Sequence, residues 1–133
     1  LGGDVAFDPE TSVSLQGNSG PYLQYALVRA RSILEKAGDS SADDSTVLES
    51  GERALVQKMT GFQDAVAQAT TEYAPHVLCT YLYELAGAFN VFYEHNRVLD
   101  GERSAVRLML VERYAEILDK GLELLGIERL SKM

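Results

Sequence analysis

The sequence holds no tryptophan, one cysteine, three prolines and two histidines in 133 residues. A lone thiol, Cys79, can form no internal disulfide, so a cysteine-stapled scaffold is excluded and a reducing compartment suits the chain. Cations are scarce too: 12 Lys and Arg against 20 Asp and Glu leave a formal net charge of −8. That balance argues against a protein that coats nucleic acid without regard to sequence, because phosphate binding draws on clustered Lys and Arg. A basic leader and a long apolar run are both missing, so neither export nor membrane insertion is expected, and the expected location is cytoplasmic. Since the chain opens on Leu1 rather than methionine, it is expected to be a piece of something longer.

What is present is an ordinary globular composition, 46% hydrophobic, at a length that fits one domain able to bury a core without staples. Charge is uneven along it. Asp39, Asp43, Asp44, Glu49 and Glu52 crowd one polar interval, whereas Arg97, Arg103, Arg107 and Arg113 fall later, in a helical region. This leaves room for a modest local basic face despite the net charge.

The stretch from Leu1 to Ser19 carries glycines, Asp8-Pro9 and Ser12 to Leu15, which predicts an extended or looped lead-in with a short strand near Val13. A helix follows, capped by Ser19 or Asn18 and stopped at Gly38. Gly38 to Ser50 is polar and aperiodic, which predicts a solvated loop. Two short helices then flank Thr60-Gly61, and Pro75 marks the next boundary. From His76 to about Arg97, Leu78, Leu82, Leu85, Phe89 and Phe92 recur every three or four residues, the stripe of a central core helix. A last helix is predicted from about Glu102 to Leu125, with Ala105, Leu108, Met109, Ile117, Leu118 and Leu122 on its apolar side. Such stripes must bury against one another, so the fold class is all-α, a bundle of about five helices behind an extended N-terminal segment.

No catalytic centre is specified. There is no phosphate-cradling loop, no dinucleotide fingerprint and no nucleophile with an identifiable base. His76 and His95 are far apart and lack the carboxylate partners of a metal-binding bundle, so both read as helix-end residues and no metal is expected. Aromatic and basic residues, by contrast, occur together: Tyr22, Tyr25, Arg29 and Arg31 near one helix start, and Phe92, Tyr93, Asn96 and Arg97 near another helix end. A single tyrosine of this kind reads as packing with its hydroxyl at the rim. The clusters instead suit splayed bases, with rings to stack on and guanidinium groups to hold phosphate.

Four stretches resemble a known family: "FDPETSVSLQGNSGPYLQYALVRARSIL" from Phe7, "PHVLCTYLYELAGAFNVFYEHNRVL" from Pro75, "ERSAVRLMLV" from Glu102 and "KGLELLGIERLSKM" from Lys120. In order and spacing they are similar to the C-terminal anticodon-binding domain of arginyl-tRNA synthetases, the helical module labelled DALR. The ending departs from the family's usual "GI-x-x-P-E-R-M", with no proline and with Lys132 where arginine is common.

The resemblance implies a noncatalytic module gripping the anticodon arm of arginine tRNA, within a parent arginine-tRNA ligase whose catalytic body uses ATP with Mg. It divides the chain into a lead-in over residues 1–19, arriving from that body, and the helical domain over residues 20–133. By the same resemblance Tyr22 and Tyr93 face the anticodon loop, whose middle cytosine is an identity element, and Met133 completes the apolar surface beside them. Arg29, Arg31, Asn96 and Arg97 would be phosphate or base-edge partners around it. The expected partners are the arginine tRNA anticodon stem-loop and the catalytic domain of the same chain, with no membrane and a monomeric state. The fragment needs no cofactor of its own. A rival from another class is a helical protein-interaction module whose exposed aromatics bind a partner helix in a groove; the related domain of cysteinyl-tRNA synthetase and a small helical enzyme are weaker alternatives.

Overall fold

A computed structural model describes residues 19–38 and 47–129 of the chain. The lead-in through residue 18, the centre of the polar loop at 39–46 and the terminus from residue 130, including Met133, lie outside the described residues. Helix α1 spans Ser19–Ala37, α2 Ser50–Met59, α3 Phe62–Thr71, α4 Pro75–His95 and α5 Ser104–Leu125. The all-helical class expected from the apolar periodicity is the one found.

Each helix end has a local cause. Gly38 and Gly126 take left-handed φ values of 70° and 74°, as chain reversal after α1 and α5 requires. After α5 the Ile127 N–H donates to the Leu122 carbonyl at 2.9 Å, closing the last turn. Pro75 occupies the first turn of α4, where its missing N–H leaves no gap. Two boundaries differ from expectation: α4 ends at His95, because Asn96 turns to extended backbone (φ −135°, ψ 133°), and α5 starts at Ser104 instead of Glu102. At the α2–α3 break, the buried Tyr81 of α4 donates its hydroxyl to the Lys58 carbonyl at 2.7 Å. Burial pushes that phenol up to about 12.

Helices α4 and α5 form the centre. The most extensive packing is α1 on α5, while α4 meets every other helix of the bundle. From α1 the core takes Leu23, Leu27, Ala30 and Ile33, and from α4 Leu78, Leu82, Leu85, Phe89 and Phe92. Each of the large ones contributes about 1.5–3 kcal/mol through removal from water. In α5 the expected stripe is only partly right: Leu108, Leu118 and Leu122 are buried, but Met109 and Ile117 are half-exposed, and Leu110, Val111 and Tyr114 join the core. A helix that packs on α1, α2 and α4 together must be apolar on more than one stripe. Gly121 is what lets α5 approach α4 so closely, since a Cβ there would meet Leu82 Cδ1 at 2.5 Å.

Candidate nucleic-acid interface

Residues at positions i, i+4 and i+7 share one helix face. On α1 this brings Tyr22, Ala26 and Arg29 into line, beside the core residues Leu23, Leu27 and Ala30. On α4 spacings of seven and then three align Tyr83, Asn90 and Tyr93, again next to the buried stripe. The two lines face each other across one surface.

Their contacts are continuous. The Tyr22 and Tyr83 rings lie 4.8 Å apart, tilted by 33°. Asn90 Nδ2 donates to the Tyr22 hydroxyl at 3.3 Å, and Arg29 Nη1 donates to Asn90 Oδ1 at 3.1 Å. The Arg29 guanidinium carbon then sits 5.4 Å from the centre of the Tyr93 ring. Tyr93 stacks at 5.9 Å on Phe89, which stacks in turn on Tyr114 at 4.0 Å with planes 7° apart. The outer rings thereby rest on a column rooted in the core. Burial raises the Tyr114 phenol well above its ordinary range, helped by Tyr22 nearby and opposed by Arg29. Tyr22 and Tyr93 are both half-buried, and Tyr83 is exposed.

The structure therefore brings Tyr22, Arg29 and Tyr93 together. It separates Arg31 from them: two residues past Arg29 a helix has turned by about 200°, and Arg31 Nη2 pairs with Asp119 of α5 at 3.0 Å. Asp119 also holds Arg129 at 3.2 Å. Asn96 is engaged at the end of α4, where its Nδ2 donates to the Phe92 carbonyl at 2.8 Å. Arg97 is exposed, 3.6 Å from Asp100, on a connection whose residues Tyr93 to Asp100 line a shallow cavity of about 420 Å³.

The sequence left room for a local basic face from Arg97, Arg103, Arg107 and Arg113; in the structure each of the four meets a carboxylate. Arg97 pairs with Asp100 and Arg113 with Glu116. Arg103 and Arg107 turn inward to Glu52, which is completely buried although it belongs to the polar interval of the sequence. Glu52 accepts from Arg103 Nε at 2.6 Å, Arg107 Nε at 2.7 Å and the N–H of Glu49, the residue capping its helix, at 2.9 Å. The Arg103 hydrogen bond holds this carboxyl down to about 2, against the opposing effect of burial, with the Glu49 N–H and Arg107 adding to the lowering. Sequence reasoning missed Glu52, Tyr83 and Asn90. For Asn90 a signal existed: a polar residue within an apolar helix, in register with Tyr83 and Tyr93. For Glu52 there was none.

Among the described residues no group of three or more His, Cys, Asp or Glu could hold a metal ion, and no helix is long and apolar enough to cross a membrane. The surface offers rings, an amide and a guanidinium, which is the chemistry of base stacking and edge recognition.

The fold is that of a helical bundle module, and residues 23–133 match the profile of the DALR anticodon binding domain; the chain belongs to that family. Its relatives are arginine–tRNA ligases. It is 44% identical over 137 residues to the arginine–tRNA ligase of Haemophilus influenzae and 42% identical over 136 residues to that of Aliivibrio fischeri. Each alignment covers 98% of this chain and 24% of the relative, so the chain spans about a quarter of the length of these proteins. Among solved structures it is similar to the Thermus thermophilus arginyl-tRNA synthetase, with a TM-score of 0.78 and 39% identity over 85% of this chain and 21% of that one.

Proposed function

We propose that the chain is the anticodon-binding part of an arginine–tRNA ligase and that the surface between α1 and α4 receives the anticodon loop. The observation that carries this reading is the unbroken line Tyr22, Asn90, Arg29, Tyr93, assembled from two helices remote in sequence. Unstacked bases would lie on Tyr22 and Tyr93, each contact worth on the order of 1–3 kcal/mol. Arg29 would serve both as a stacking plane beside Tyr93 and as a phosphate partner. Arg97 would hold the backbone at the edge of the surface, with Met133 beside Tyr93. Arg31 and Asn96, committed to Asp119 and Phe92, would contribute only where RNA displaces those contacts. Residues 1–19 would lead in from a catalytic body that activates arginine with ATP and Mg, and the parent would act as a monomer in the cytoplasm.

Binding of arginine tRNA by the full-length parent, compared with the same tRNA carrying a foreign anticodon, tests the reading. A clear preference that Tyr22→Ala and Tyr93→Ala both abolish is the expected result; equal binding of the two tRNAs by the unaltered protein overturns it.

A further inference from the structure

We propose that Glu52 is a positioning residue for RNA binding: through Arg107 it fixes the connection between α4 and α5 that presents Arg97 beside Tyr93. The inference rests on the reading above, that this surface takes RNA.

The chain of contacts is short. Arg107 Nε donates to Glu52 at 2.7 Å and Arg107 Nη1 donates to the main-chain carbonyl of Arg97 at 3.1 Å, so one guanidinium bridges the buried carboxylate and the backbone of the connection. A second bridge runs through Arg103, which binds Glu52 and also donates from Nη2 to the Val47 carbonyl at 2.9 Å. The start of α2 seats the other side of the connection. Gly51 lies so close to Asn96 that a Cβ would stand 3.1 Å from its Nδ2, and Asn96 is itself bonded back to Phe92. The connection contains no regular structure to hold its own shape between His95 and Ser104. Its path is set by what it is tied to: Val98 is buried and its carbonyl accepts from Ser104 Oγ at 2.7 Å, while the ties made by Arg107 and Arg103 converge on Glu52. A buried carboxylate with four hydrogen bonds has one geometry, because any loosening leaves a desolvated charge unpaired. The Arg97 side chain is exposed on that backbone, and its one carboxylate neighbour among the described residues, Asp100 at 3.6 Å, is equally solvated, so a phosphate would take its place.

The test uses the full-length parent with an arginine tRNA transcript as probe, measuring affinity across a salt series for Arg97→Ala, Arg107→Lys, Glu52→Gln and the doubles with Arg97→Ala. Loss of one phosphate contact should weaken binding about threefold to tenfold and flatten the dependence of log affinity on log salt by about 0.7. Arg107→Lys keeps a cation beside Glu52 but lacks the fork that also reaches Arg97. It and Glu52→Gln should reproduce the flattened slope of Arg97→Ala, and the doubles should be no weaker than the weaker single. A lower melting temperature with unchanged affinity and slope in both Glu52→Gln and Arg107→Lys makes the cluster purely structural and overturns the inference. If Glu52→Gln does not fold, Arg107→Lys decides alone. Should Arg97→Ala bind normally while Tyr22→Ala and Tyr93→Ala do not, this inference fails and the proposed function stands; should the tyrosine variants bind normally as well, the proposed function fails with it.

Discussion

Arg29 on α1 reaches across to α4, donating to Asn90 while its guanidinium carbon lies 5.4 Å from the Tyr93 ring centre. One side chain thus couples the two aromatic ends of the surface, and its planarity matters as much as its charge. Arg29→Lys keeps the charge and loses the planar stacking and the fork. It should weaken binding of arginine tRNA by about fivefold, or about 1 kcal/mol, with the melting temperature nearly unchanged. Equal affinity of the lysine variant would show that charge alone suffices.

Asn90 is the hinge of the same line, accepting from Arg29 and donating to the Tyr22 hydroxyl. Asn90→Ala leaves both partners unmatched and should lower stability by about 1 kcal/mol. Asn90→Asp strengthens the pairing with Arg29 but removes the donor to Tyr22 and adds negative charge to the surface proposed to take RNA. Its stability should hold while its affinity for RNA falls. Thermal melts paired with filter binding separate the two effects.

Acid should loosen the bundle through Glu52. A carboxyl whose folded pKa is depressed adds stability that is present above its ordinary value near 4.5 and is lost as pH falls toward about 2. The amount at stake is on the order of 3 kcal/mol. Urea unfolding at pH 6, 4 and 3 should show this decline between about pH 5 and 2, and Glu52→Gln should flatten it from an already lower starting stability.

Close approach of α5 to α4 depends on Gly121. A methyl group there would overlap Leu82, which is fully buried and has little room to retreat. Gly121→Ala should destabilise by about 1–3 kcal/mol, after its gain of about 1 kcal/mol in helix propensity is counted. The double variant with Leu82→Val should recover part of that loss in chemical denaturation.

The helices were readable because their causes are local. Glycine at positive φ, proline in a first turn and leucine every three or four residues act within a few positions of where they stand, and the ends of α1 and the start of α4 fell close to expectation. The partners of the charges were not readable. Arg103 and Arg107 looked like a basic face, and Glu49 and Glu52 like part of a solvated acidic interval, because sequence gives the sign of a charge and not the side of the helix on which its counterion will arrive.

By itself, then, the sequence determined an all-helical domain and the presence of rings and guanidinium groups on two remote segments, since periodicity and composition need no knowledge of distant contacts. Tertiary packing decided the rest: α1 against α4 puts Tyr22, Arg29 and Tyr93 on one surface through Asn90, α1 against α5 gives Arg31 to Asp119, and α2 against α5 buries Glu52. Those outcomes depend on the rotation of each helix about its own axis, which is fixed when the core side chains interlock and is encoded nowhere in a single stretch of residues.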